Sequence, residues 1–175
     1  PPDPVTSAAR VLLETEALLF EAAKTGSLSP WVLRLSGIYG PDRWHLPWLD
    51  DLRAGRPMGD DPDRIGNRIH RDDAAGALEF LLYGGLPAKG VVLGTDREPT
   101  RLSTLMSWFA DQLGCEPPTF SEVPSVPRGH GSRQSGAGGR RLVSEKLAGA
   151  GFTFQYPTFR EGYRSFVEMV RAGDA

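Results

Sequence analysis

The side chains able to do chemistry are few and widely spaced. The three histidines, His45, His70 and His130, lie far apart and show no metal-ligand spacing such as H-x-x-x-H. His70 is followed by Asp72 and Asp73, which could orient its imidazole for acid–base work; the alternative packs His70 between a strand and a helix that an Asp caps. Tyr39 offers a phenol as a proton donor, or an aromatic pocket wall. Ser36 follows an apolar run directly, a good position for a ligand-facing hydroxyl. The glycine-rich run Gly129–Gly139 lacks both the Lys-Ser/Thr of a P-loop and the preceding strand of a dinucleotide fingerprint, so it reads as a solvated loop. Its alternative use is anion binding by Arg133, Arg140 or Arg141. Cys115 is the single cysteine; it cannot form an internal disulfide and reads as a small buried hydrophobe in a reducing, cytoplasmic setting.

These groups need a scaffold, and Trp31 to Arg43 is its centre. Val32, Leu33 and Leu35 form a short apolar strand that ends at Ser36-Gly37, and Tyr39-Gly40-Pro41 cannot continue it. A buried strand delivering its carboxyl end into a Gly/Pro loop is where open α/β sheets place their ligand crevices. Upstream, a helix is expected from Thr6 to about Lys24, capped by Asp3 or Thr6, with Ala8, Val11, Leu12, Leu18, Leu19 and Ala22 as its buried stripe. Downstream, Trp48–Arg53 predicts a short helix and Arg56–Gly66 a surface loop, and Asn67–His70 is extended. A helix then runs from Asp72 to about Tyr83, with Ala74, Ala77, Leu78, Leu81 and Leu82 on one face. Val91–Gly94 predicts a strand and Leu102–Leu113 a helix closed by Gly114. Pro117–Gly139 is expected to be a long loop, Arg140–Ala150 a short helix, and Thr158–Ala172 a final one.

The bulk properties narrow the function class. The chain has 175 residues, 39% hydrophobic and 24% charged, with a net charge of −2. That is ordinary globular usage, enough for one real core. Its 20 basic residues are dispersed, which excludes the clustered basic face of a nucleic-acid binder. No apolar run is long enough for a membrane span.

Three stretches, R-L-S-G-I-Y-G-P-D-R (34–43), N-R-I-H-R-D-D-A-A-G-A-L (67–78) and R-R-L-V-S-E-K-L-A-G-A-G-F-T-F-Q-Y-P-T-F-R-E-G (140–162), occur in an order and spacing that resembles the extended short-chain dehydrogenase/reductase superfamily, in its NAD-dependent epimerase/dehydratase group. The resemblance implies an α/β fold: the carboxyl-terminal part of a doubly wound, NAD(P)-binding Rossmann-like sheet plus a small mixed α/β substrate lobe. On this basis residues 1–42 supply the last helix–strand units of the sheet. Residues 43–175 form mainly the substrate lobe, with 67–95 crossing back to the sheet. The strand–glycine-loop–helix unit that grips the pyrophosphate is then expected upstream of Pro1, so NAD or NADP would bind poorly to these residues alone, and the fragment would be inactive.

The resemblance also implies site residues. Ser36, Gly37, Ile38 and Tyr39 would line the nicotinamide end of the cleft, and Arg43 and Arg140 would face the substrate. The family's Tyr-x-x-x-Lys pair falls near the start of the first helix, where no Tyr occurs before Tyr39 and no Lys before Lys24. With Glu14 or Glu16 as register, the Tyr place falls on Thr6 or Ala8 and the Lys place on Arg10 or Leu12. Thr6 with Arg10 keeps the spacing without the acidity of a phenol. The chain is thus similar to the atypical, tyrosine-lacking branch, and the catalytic candidates reduce to Thr6, Arg10, Tyr39 and His70. Gly37 stands where sugar-nucleotide epimerases carry Asn. The expected activity is that of an NAD(P)-dependent oxidoreductase or epimerase/dehydratase on a small molecule. The alternatives are a non-catalytic dinucleotide-binding or regulatory protein, or a sugar-nucleotide epimerase using a displaced group such as His70. No nucleic-acid, membrane or metal partner is expected, and the oligomeric state, a homodimer being one option, stays open.

Overall fold

A computed structural model describes residues 6–26, 29–44, 46, 48–84, 86, 90–121 and 139–173. The elements in chain order are α1 (Ser7–Ala22), β1 (Trp31–Leu35), β2 (Gly37–Tyr39), α2 (Leu49–Arg53), β3 (Ile65–Gly66), β4 (Arg68–His70), α3 (Arg71–Leu82), β5 (Gly90–Gly94), β6 (Thr100–Arg101), α4 (Leu102–Leu113), α5 (Glu145–Gly149), α6 (Phe159–Gly162) and α7 (Arg164–Ala172). The apolar runs of β1 and β5 pair in parallel from Trp31↔Gly90 to Leu35↔Gly94. The chain then changes partner. Ser36 still donates its N–H to Gly94 O (3.0 Å), whereas Gly37 donates to Asn67 O (3.2 Å) and β2 runs parallel to β4. A third, antiparallel pair joins β3 to β6.

Two apolar cores lie around this frame. One holds Ile69, Ala74, Ala77, Leu81, Val92, Leu147 and Phe154, between the parallel strands, α3 and α5. The other gathers Tyr39, Leu52, Leu105, Met106, Phe109, Phe159, Tyr163 and Phe166 among α2, α4, α6 and α7. Asp73, 1% exposed, ties the carboxyl-terminal segment to α3 by accepting the N–H groups of Gln155 (2.7 Å) and Tyr156 (2.9 Å).

Several expectations need correction. In α1 the predicted stripe faces solvent: Val11, Leu12 and Leu18 are 59%, 64% and 71% exposed, while Ala9, Leu13, Glu16 and Phe20 are half-buried. The helix is apolar on two faces, and the one turned inward is fixed by the Glu16–Arg34 ion pair reaching β1 (2.5 Å). In α3, Ala74, Ala77 and Leu81 are buried as expected, but Leu78 and Leu82 are exposed and Asp73 takes a core position. His70, not an Asp, caps that helix, its Nδ1 accepting from Asp72 N (3.3 Å). The expected loop before Asn67 contains β3. The expected helix from Arg140 begins only at Glu145, because the Asn67 amide holds the preceding backbone extended, donating to Arg140 O (2.7 Å) and accepting from Leu142 N (2.8 Å). The final helix starts on a capping box between Thr158 and Glu161 and breaks at Tyr163 into α6 and α7. Asp3, His45, His130, Arg133 and most of the predicted loop lie outside the described residues. No described helix is long and apolar enough to cross a membrane.

Candidate active site

The partner change at Ser36–Gly37 opens the carboxyl edge of the parallel strands. Ser36 follows β1, and Thr95-Asp96 follow β5 at the same level, so the backbone there must satisfy itself locally. Asp96 donates its N–H to Arg68 O (2.7 Å), Thr95 Oγ1 donates to the same carbonyl (3.1 Å), and Ser144 Oγ donates to Thr95 O (2.7 Å). Buried polar atoms are normally paired. Here Ser36 Oγ, Tyr39 Oη, Arg68 Nη1 and Asp96 Oδ2 are buried without a hydrogen-bond partner. A concentration of unsatisfied polar atoms at a strand-end crevice marks a candidate site.

Their electrostatics follow from burial. Asp96 is 1% exposed, and desolvation pushes its carboxyl up to about 7 although the Arg68 guanidinium opposes the shift. Tyr39 is 4% exposed; burial, then the Asp96 charge, raise its phenol well beyond the ordinary range. Its ring stacks on Tyr163 at 4.3 Å, and the Tyr163 phenol is itself pushed up to about 12 by burial. A Cβ on Gly162 would fall on the Tyr39 hydroxyl, which therefore points into the helical core. Burial lowers His70 despite the carboxylates of Asp72 and Asp73, so the imidazole is neutral, consistent with Nδ1 accepting the cap hydrogen bond. Its Nε2 lies against Gly40, whose φ of 147° and close approach leave no room for a Cβ.

The structure brings Ser36, Gly37, Ile38, Tyr39 and His70 to one region. Ser36 and Ile38 are half-buried and Gly37 is exposed. Arg43 and Arg140 are exposed; Arg140 is held by its backbone. Thr6 caps α1 by accepting from Ala9 N (3.1 Å), and Arg10 is exposed. Sequence reasoning missed Asp96, Arg68 and Tyr163. Asp96 had a readable signal, a carboxylate just past an apolar strand that ends in Gly-Thr. Arg68 and Tyr163 carried none, since their meeting depends on how β4 and α6 pack. Among the described residues no group of His, Cys, Asp and Glu could hold a metal ion.

No family model and no curated protein matches the sequence. Solved structures do. An NAD-dependent epimerase/dehydratase from Methylobacillus flagellatus is 28% identical, with a TM-score of 0.67 over 98% of this chain and 56% of its own. The UDP-glucose 4-epimerase of Thermus thermophilus, solved with NAD, is 19% identical, with a TM-score of 0.73 over 98% and 56%. The dTDP-glucose 4,6-dehydratase of Bacillus anthracis, also solved with NAD, is 17% identical, with a TM-score of 0.72 over 99% and 55%. The chain thus spans a little over half the length of the structures it matches. The chain thus has the Rossmann-like α/β fold of these structures and is similar to the carboxyl-terminal part of NAD-dependent epimerases/dehydratases.

Proposed function

We propose that this protein acts as an NAD(P)-dependent oxidoreductase of the epimerase/dehydratase type on a small substrate. The observation carrying the proposal is the strand that changes partner at Ser36–Gly37, because ligands of doubly wound sheets sit outside such strand ends. In this reading residues 36–38 form the nicotinamide-side wall. The fit is local and specific: Ser36 Oγ is an unpartnered hydroxyl, and Gly37 leaves its backbone uncovered. In the same reading Tyr39 supplies a packed ring beneath the wall, and the exposed Arg43 and Arg140 would face the substrate. When bound, the nicotinamide supplies the hydride chemistry. The pyrophosphate grip requires a strand–glycine-loop–helix unit, which is not found among the described residues. Residues 1–42 would belong with the cofactor sheet, and 43–175 mainly with the substrate lobe.

A second reading, a non-catalytic dinucleotide-binding protein, is favoured by one observation. The family's tyrosine place falls on Thr6 or Ala8; the Thr6 hydroxyl is spent on a helix cap, Ala8 has none, and burial makes the Tyr39 phenol far too weak an acid to exchange a proton near neutrality. Calorimetric titration of the full-length protein with NADH and NADPH tests both readings together. Heat with neither refutes both. Binding with hydride transfer on an aldehyde, ketone or sugar-nucleotide panel supports the enzyme, and turnover surviving Thr6→Ala with Arg10→Ala shows that the old motif position carries no chemistry. Binding without turnover favours the second reading.

A further inference from the structure

Beside the strand ends lies a cavity of about 190 Å³ between β3, β4, α4 and the α6–α7 break, lined by Trp48, Leu102, Leu105, Tyr163, Arg64 and Arg68 together with Gly66 and Leu46. Its two cations are unequal. Arg64 is committed to Asp60, with Nε to Oδ1 at 3.1 Å and Nη2 to Oδ2 at 2.6 Å. Arg68 makes no ion pair within 4 Å among the described residues, and its Nη1 is buried without a partner. Its guanidinium lies above the Phe159 ring at 5.7 Å. Nη2 occupies the space a Cβ at position 66 would take, 2.7 Å from that point, so the glycine is what lets the fork lie along the cavity wall.

A guanidinium held out of water without an anion is costly, and an oxyanion seated on it offsets that cost. The remaining walls are apolar and aromatic. We propose that this cavity binds a small monocarboxylate with an apolar body, its carboxylate on the Arg68 fork and its body against Trp48, Leu105 and Tyr163. A single uncommitted guanidinium matches a carboxylate in charge and geometry, whereas a phosphate dianion would call on a second cation that Asp60 already holds. The volume falls below that of sites for drug-sized ligands, about 300–1,000 Å³, and excludes a whole nucleotide sugar. Asp96, whose charge the Arg68 guanidinium favours, competes with a bound carboxylate when ionised; burial holds its carboxyl up to about 7, so the titration is run below that pH.

The site needs no nicotinamide, so it is tested on the full-length protein without cofactor, and the NADH titration above stands or falls separately. The probes are benzoate, benzamide, inorganic phosphate and UDP-glucose, followed by calorimetry and by amide and indole NMR shifts. Benzoate binds with a dissociation constant on the order of 1 mM or tighter, shifting the Gly66 amide and the Trp48 indole. Benzamide binds at least about tenfold more weakly, and Arg68→Gln weakens benzoate about tenfold or more while Arg64→Gln changes it less than about threefold. Leu105→Trp, which fills the cavity without touching charge, abolishes binding. The proposal is overturned if benzoate causes no shift at Gly66 and Trp48, if benzamide or phosphate binds as well as benzoate, or if UDP-glucose competes at equal concentration. Undiminished benzoate binding in a folded Arg68→Gln protein also overturns it.

Discussion

Replacing Asp96 by Asn isolates the electrostatics of the strand-end cluster. The folded carboxyl titrates at about 7 against an unfolded value of 3.8, because the side chain is 1% exposed. The folded state therefore holds the proton more tightly, so the carboxyl's contribution to stability falls as pH rises from about 4 through 7 and levels off above. Integrating the linkage between pH 5 and pH 8 gives a loss of about 2–3 kcal/mol of wild-type stability relative to the variant. Asn can keep the acceptor that receives Glu98 N–H (3.2 Å) and does not titrate. Groups present in both proteins, such as His70, cancel in the difference. Urea denaturation of both proteins at half-unit pH steps measures it directly, and the melting temperatures should diverge by about 4–12 °C over the same range. A difference that is flat, or that grows in favour of wild type as pH rises, refutes the reasoning. It would mean that Arg68 holds Asp96 ionised as a paired carboxylate.

Three further outcomes follow from the packing. Asp73→Asn gives one of the Gln155 and Tyr156 N–H groups a neutral acceptor and sets the other against an NH2 donor, and should cost about 1–3 kcal/mol, with amide exchange accelerated at those two positions; unchanged exchange there would remove the tether. Gly162→Ala places a methyl on the Tyr39 hydroxyl and should destabilise by about 3 kcal/mol, part of which Tyr39→Phe restores in the double variant. Equal losses with and without the hydroxyl would show that the clash lies elsewhere. Tyr39→Phe alone removes a buried, unpaired hydroxyl and should be neutral or stabilising by about 1 kcal/mol, with any hydride-transfer rate within about twofold of wild type; a loss of turnover on a folded protein would return Tyr39 to catalysis.

Local chemistry made several elements legible. β1 and α4 have the bounds read from sequence, since an apolar run stopped by Gly-Pro chemistry and a four-residue periodicity closed by a left-handed Gly114 (φ 66°) are short-range signals. The parallel pairing, the strand-to-loop turn at Ser36 and the likeness to epimerase/dehydratase folds follow from such signals in order. The orientation of α1 does not, because Ala9, Leu13 and Phe20 compete with Val11, Leu12 and Leu18 as equally apolar faces, and the inward one is the face that carries Glu16 to its ion pair with Arg34 on β1. Nor do the two-residue β3–β6 pair and the delayed start of α5. Each depends on a partner tens of residues away, as Asn67 does on Arg140 and Leu142. The site divides in the same way. Ser36 and Tyr39 could be named from their place after a strand, Gly37 and Ile38 only through the family resemblance. Asp96, Arg68 and Tyr163 acquire their properties only when tertiary packing strips water from them, and desolvation is a property of the assembled fold that no spacing along the chain encodes.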